Sequence, residues 1–289
     1  MDLVVQHPRL RDGPVNAFAE RLGAPPTRRD ATVARWSAAP ALPSHELAGL
    51  AEAQAVDAAL VPRGARLADY RLLAFDMDST LITIECIDEI ADYAGCKPQV
   101  AAITEAAMRG EIADYDESLR RRVALLAGLP ETTLQRVWDE RVRLTPGAER
   151  LIGALKSAGL KILLVSGGFT FFTDRLKARL GIDFTRSNVL EIADGRLTGG
   201  LVGRIVNAQG KREALEQACR QIGCTPSQAI AVGDGANDLE MMGIAGISVA
   251  YRAKPLVRAR TTWSIEHGGL DTLLDWLPEA SAGPAGTGA

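Results

Sequence analysis

The sequence predicts an α/β fold: a doubly wound parallel sheet, a block of helices inserted after the first strand of that sheet, and a small appendage at the N-terminus. Three observations lead there. Short β-rich runs end in Gly, Asp or Ser: LLAFDMD from Leu72, LKILLVSGG from Leu160, AIAVGDG from Ala229 and AGISVA from Ala245. Helical patterns such as Ala148–Ala158 and Phe171–Leu180 separate them, and strands alternating with helices pair in parallel. The stretch Cys86–Leu144, about 60 residues, is helix-rich and too long for an ordinary crossover, which makes it a cap or lid over the active end.

Taken in order, residues 1–70 are an appendage of different composition, with seven of the 14 prolines, no lysine, and eight arginines against eight acids. Leu3–Gln6 reads as a short strand. Ser44 reads as the cap of a helix running through about Leu60, with Leu47, Leu50 and Ala51 on one face. The fold of this region is not legible, it carries no catalytic constellation, and docking or regulation is the expected role. Residues 71–85 and 145–278 make the expected catalytic core and 86–144 the cap. Asn188–Val206 alternates differently and holds Asp194-Gly195, a hairpin signal. Residues 279–289, rich in small side chains, read as a disordered tail.

Composition excludes several classes of function. Apolar residues make up 47% and charged residues 24%, which rules out a disordered or low-complexity chain. Lys and Arg total 33 against 36 acids, so the basic surplus that nucleic acid or an anionic membrane would require is missing. Apolar runs such as Leu72–Phe75 are far too short to span a bilayer. The first residues lack a basic leader followed by an apolar stretch, so a cytoplasmic protein is expected. The four cysteines (86, 96, 219 and 224) have no CxxC spacing and read as reduced, small apolar side chains. The expected partner is a small molecule. A homodimer is compatible with the sequence but not specified by it.

The chemistry sits at the strand ends. In DMDSTL, Asp76 and Asp78 follow an apolar strand two residues apart, so both carboxylates can face one site. Two solvated acids in a turn would read the same way, but paired carboxylates at a buried strand end need a compensating cation. Hard oxygen donors suit Mg²⁺, the expected cofactor. The second strand ends in Ser166-Gly167-Gly168, a hydroxyl followed by amides that can hold phosphate oxygens. Lys211 stands at an apparent helix start in NAQGKREAL, where ammonium and helix N-terminus both favour an anion. GDGAND adds Asp234, Asn237 and Asp238 after a third strand. Each motif alone is weak; their serial placement after successive strands points to phosphoryl chemistry.

These motifs resemble those of the haloacid dehalogenase-like phosphatases, with their Rossmann-like core, over roughly Leu72 to Leu277. DSTLITIECIDEIA from Asp78, ESLRRRVALLAGLP from Glu117, LTPG at Leu144–Gly147 and VSGGFTFFTDRL from Val165 resemble the subgroup acting on O-phosphoserine. The resemblance implies that Asp76 is the nucleophile and forms an aspartyl-phosphate. An ordinary aspartate is already ionised at neutral pH, so it needs relief from repulsion rather than a base. One like-charge contact at about 4 Å costs roughly 4 kcal/mol at an effective dielectric of 20, a term that Mg²⁺ and Lys211 would offset.

Asp78 would protonate the leaving hydroxyl and then take a proton from water, which requires a pKa raised by the neighbouring carboxylates. By the same resemblance Asp76, the Asp78 carbonyl and Asp234 would ligate the metal, with Asp238 supporting them from behind. Ser166, Gly167, Lys211 and Asn237 would hold the phosphate. Glu85 would receive the substrate ammonium, Arg122 its carboxylate, and Tyr115 would cover it. Taken in isolation, Arg120–Arg122 could be a solvated helix face. The segment GEIADYDESL departs from the family spacing by one residue and carries Tyr where Phe is commoner. Two alternatives stay open: transfer of the phosphoryl group to another alcohol such as homoserine, and a phospho-accepting receiver module, which has no use for Asp78 or a cap.

Overall fold

The computed structural model of the chain describes residues 1–40, 42–109, 111–112 and 114–278. The tail expected at 279–289 lies outside them. The N-terminal segment runs β1 (Asp2–Gln6), α1 (Asp12–Leu22), β2 (Arg28–Arg29), β3 (Val33–Trp36), α2 (Ser44–Gln54) and β4 (Asp57–Val61). It forms an antiparallel sheet of order β2-β3-β1-β4, a split βαβ topology. The helix expected from Ser44 through Leu60 stops at Gln54. Ala55 takes a left-handed conformation that caps it, and Leu60 lies in β4. The alternation of burial along β4 is the strand period, which the short apolar run concealed.

This small sheet has two buried faces. Leu3, Val5, Ala34 and Trp36 pack with Val15, Phe18 and Leu47 of the segment's own helices. Val4, Val33, Ala59 and Val61 join the cluster that holds Trp263 and Trp276 of the main body. Polar contacts fix the join: the buried carboxylate of Asp57 accepts the backbone N–H groups of Glu266, His267 and Gly268, at 2.7 Å from Glu266 and Gly268.

The main sheet comprises β5 (Leu72–Phe75), β6 (Lys161–Phe169), β7 (Phe184–Ala193), β8 (Arg196–Val202), β9 (Ala229–Gly233), β10 (Ile247–Tyr251) and β11 (Trp263–Ile265). Their order is β11-β10-β9-β5-β6-β7-β8, parallel except for the β7–β8 hairpin. That hairpin turns at Asp194 and Gly195, which both take positive φ as a type I′ turn requires. Along the central strands one set of side chains faces each way. Leu72, Ala74, Ala229 and Ala231 meet Ala214, Leu215 and Ala218 of one helix, while Leu73, Phe75, Ile230 and Val232 face Leu151, Leu155 and Phe172. Burial on both faces is why these strands read as continuous apolar runs.

The helices are α3 (Cys86–Tyr93), α4 (Lys97–Met108), α5 (Tyr115–Ala124) and α6 (Thr132–Glu140), then α7 (Ala148–Ser157), α8 (Thr170–Leu180) and α9 (Ala208–Ile222), with short α10 (Leu239–Met242), α11 (Pro255–Arg258) and α12 (Thr272–Trp276). Helices α3–α6 occupy the stretch between the first two main-sheet strands. The chain leaves and returns through paired segments: Ile82 bridges Leu144, and Thr145 donates its N–H to the Leu81 carbonyl. The β7–β8 hairpin supports these helices from the side, since Gly128 donates its N–H to the Leu197 carbonyl and Leu197 donates its own to the Leu129 carbonyl. The sheet order reverses direction between β5 and β9, the topological switch point at which ligands bind in open α/β sheets.

Candidate active site

The carboxyl ends of β5, β6 and β9 converge on one cavity of about 660 Å³. It is lined by Asp76, Asp78, Glu85, Tyr115, Arg122, Gly167, Gly168, Asp234 and Asn237 among others. After β5 the chain makes a wide turn: Leu81 N–H bonds back to the Asp76 carbonyl, Ile82 N–H to that of Met77, and Ser79 has φ 54°. Asp76 and Asp78 keep extended backbone within it, and both reach the cavity.

Lys211, in the first turn of α9, is fully buried, and its Nζ lies 2.7 Å from Asp76 Oδ1 and 2.7 Å from Asp238 Oδ1. The other oxygen of Asp238 accepts the Gly235 N–H at 3.0 Å, so Asp238 holds the ammonium and the GDGAND turn together. Burial works against the Lys211 ammonium, but the carboxylates of Asp238 and Asp76 more than reverse this and keep its pKa above the ordinary lysine value. Burial lifts Asp76 well above the usual carboxylate range. Asp238 adds to that rise and Lys211 opposes it. Asp234 is pushed up to about 6, by burial and then by Asp238, against a hydrogen bond from Thr80 Oγ1 at 3.0 Å.

Three carboxylates around one ammonium leave negative charge uncompensated. Asp76, Asp234 and Asp238 each place an oxygen within 4.8 Å of the others. Both Asp238 oxygens are already engaged by Lys211 and Gly235, which leaves Asp76 and Asp234 to turn an oxygen toward a cation. An all-oxygen, net-anionic donor set fits a hard divalent metal.

Asp78 stands apart from that cluster. Its Oδ1 accepts the Cys86 N–H at 2.9 Å and its Oδ2 the Ser166 hydroxyl at 3.2 Å. Its carboxyl is raised, and here the structure corrects the expected cause. Burial drives the rise rather than the neighbouring carboxylates, while the bonds from Cys86 and Ser166 oppose it. Gly168 leaves no room for a side chain, because a Cβ there would collide with Asp78 and Met77.

The cap-side residues line the opposite wall. Glu85 precedes α3, opens to the cavity and takes a hydrogen bond of 2.6 Å from Ser79 Oγ. The low-dielectric walls and then Asp78 push its carboxyl up to about 8, so a cation beside it would be favoured. The basic run of α5 divides: Arg120 is exposed and Arg121 pairs with Glu117 at 2.7 Å, whereas Arg122 is half-buried on the cavity wall. Tyr115 opens α5 with its hydroxyl against Gly167, at a place where any Cβ would clash. Next to it, Asp116 Oδ1 accepts the amide of Asn207 at 3.0 Å, a bond from the cap helices to the start of α9.

All the residues that the sequence singled out thus surround this cavity or touch a residue that lines it. Thr80, Ser79, Asn188 and the Asp116–Asn207 contact were missed. Apart from Ser79, whose partner Glu85 is six residues on, their partners lie far off in sequence, and a lone hydroxyl or amide carries no signal until the fold brings the partner near.

The strand order, the switch-point cavity and the carboxylate–lysine cluster define a class: the chain belongs to the haloacid dehalogenase-like hydrolases, whose family model matches residues 70–246. Within that class its relatives include phosphoserine phosphatases. One from a Polaromonas species is 63% identical over 214 residues, 73% of this chain and 91% of the relative. A solved phosphoserine phosphatase, a phospho-aspartyl intermediate analogue, matches 72% of this chain and 99% of its own at 38% identity and TM-score 0.68. A HAD-family hydrolase of Salmonella enterica serovar Typhi covers 96% of this chain and 98% of its own at 33% identity and TM-score 0.86, so the N-terminal sheet has a counterpart there.

Proposed function

We propose that this chain is a phosphoserine phosphatase, a phosphoric monoester hydrolase that releases serine and phosphate from O-phosphoserine, the closing step of serine synthesis. The observation that carries this is one cavity with Asp76 on its floor, backed by Lys211 and Asp238, and with Glu85 and Arg122 both on its wall. The floor suits a phosphoryl group and the wall suits an amino acid: a carboxylate reads an ammonium, and a guanidinium fork reads a carboxylate.

Asp76 attacks phosphorus in line, and the ester oxygen leaves as serine's hydroxyl with a proton from Asp78. The same Asp78, now a carboxylate, takes a proton from the water that attacks phosphorus and frees Asp76. Lys211 balances charge on Asp76 and on the transferring oxygens while Asp238 fixes its direction. Ser166, the Gly167 backbone and Asn237 hold the phosphate, and Tyr115 closes over it. Mg²⁺ is the cation the all-oxygen set favours, and Asp76, Asp234 and the Asp78 carbonyl would hold it. When bound, it supplies charge neutralisation that lets an anionic nucleophile meet an anionic ester.

The relatives named phosphatases support water, rather than a second alcohol, as the acceptor. Four free cysteines fit the reducing cytoplasm that the sequence suggests, and no helix among the described residues is long and apolar enough to cross a membrane. Phosphate release from a panel of phosphomonoesters, with Mg²⁺ and with chelator, tests the proposal. O-phosphoserine should lead the panel and chelator should abolish turnover. A generic aryl phosphate that equals it, or chelator-resistant turnover, would contradict it.

A further inference from the structure

The pairing of β6 with β7 is broken just where the site begins. Val165 stands opposite Arg186, but the next pair is Phe169 with Asn188, so four steps along β6 match two along β7 and Ser166-Gly167-Gly168 bulges toward the cavity. A bulge loses ladder hydrogen bonds, and here one buried side chain takes up the Gly167 carbonyl. Asn188, only 3% exposed, donates from Nδ2 to the Gly167 carbonyl at 2.8 Å and accepts the Val206 N–H on Oδ1 at 2.8 Å. The amide has one orientation open to it, because a carbonyl can only accept and a backbone N–H can only donate.

The consequence follows from peptide geometry. In a trans peptide the C=O and N–H point in opposite directions. With the Gly167 carbonyl drawn to Asn188, the Gly168 N–H of the same unit points the other way, where it donates to Ser166 Oγ at 2.7 Å. That leaves the Ser166 hydroxyl proton for Asp78 Oδ2 at 3.2 Å. On its other side Asn188 grips Val206, two residues before α9, the helix that carries Lys211.

We infer that Asn188 is a positioning residue: it sets the Gly167–Gly168 peptide, and through it the direction of the Ser166 hydroxyl, relative to both Asp78 and α9. This rests on the proposed roles of Ser166 and Asp78. It touches neither substrate nor reacting atoms.

The test is a double-mutant cycle on the full chain. Asn188→Asp keeps the acceptor for Val206 and removes the donor to Gly167; Asn188→Ser supplies a second, milder variant should the first fail to fold. Each is made alone and with Ser166→Ala, and kcat for O-phosphoserine is read beside the thermal midpoint. A misplaced group costs about ten- to a hundredfold, so each single variant should lose kcat in that range while remaining folded. In the Ser166→Ala background the Asn188 change should cost less than about threefold, because the residue through which it acts is gone. Wild-type kcat in a folded variant, or losses that multiply independently, would overturn the inference. Asp76→Asn is the control for the reading beneath it: if that variant still turns over, the site assignment has failed, and if it is dead while the cycle is additive, only the role of Asn188 has.

Discussion

The two sheets of this molecule differ in what holds them and in what they do. The seven-stranded sheet is covered by helices on both faces and ends in carboxylates whose charge it cannot balance by itself. The four-stranded sheet has helices on one face, sets the other against Trp263 and Trp276, and satisfies the buried acid at the start of β4: Asp57 is bound by three backbone N–H groups. Asp76 and Asp57 are both buried aspartates near strand ends. One sits among like charges that add to the rise burial gives its pKa, opposed by Lys211, and the other is locked in place by donors. The lesson is that burial alone does not mark a catalytic carboxylate. What marks it is charge left over after its neighbours are counted.

The sharpest way to separate the two regions is by substitution. Arg122→Ala removes a charge-assisted contact worth about 1.5–3 kcal/mol, so KM for O-phosphoserine should rise about ten- to a hundredfold. KM for an aryl phosphate lacking the amino-acid carboxylate should stay near its starting value. Equal rises on both substrates would place Arg122 elsewhere in the mechanism. Asp57→Ala should do the reverse, leaving three buried N–H groups without an acceptor at a cost of about 2–3 kcal/mol while kcat stays unchanged. Denaturant unfolding beside steady-state kinetics reads both, and a loss of kcat without a loss of stability would tie the small sheet to catalysis.

A smaller effect is expected from pH. Asp234 is raised to about 6 without metal, so its bound proton favours the folded state at low pH. That contribution is fully present below the unfolded value near 4 and is lost as pH rises through about 6. Metal must displace the same proton, so Mg²⁺ affinity should fall about tenfold per pH unit below 6. Calorimetric titrations between pH 5 and 7.5 check this, and an affinity flat with pH would remove Asp234 from the metal set.

Legibility in the sequence followed physical range. The central strands and the motifs at their ends could be read because burial on both faces makes an apolar run and each polar residue falls directly after it. The hairpin could be read from Asp194-Gly195, since the turn itself demands residues that accept positive φ. The small sheet was legible only in part. The strand at Leu3–Gln6 and the helix start at Ser44 match β1 and α2, but β4 runs on from the helix in sequence because only Ala55, in a left-handed conformation, and Val56 separate the two. Within the basic run only the family resemblance singled out Arg122 from Arg121, because the residues alone do not say which way α5 turns. Asn188, Thr80 and Asp116 could not be found at all, because an amide, a hydroxyl or an acid gains meaning only from a partner brought in from elsewhere in the chain.

The central claim is that the Asp76 carboxylate takes the phosphoryl group. Borohydride reduces an aspartyl-phosphate to homoserine, so quenching the enzyme during turnover of O-phosphoserine with Mg²⁺ and mapping its peptides by mass tests the claim directly. The account predicts homoserine at position 76, absent without substrate. A substrate-dependent mark at another residue, or an unmodified Asp76 under active turnover, would contradict it.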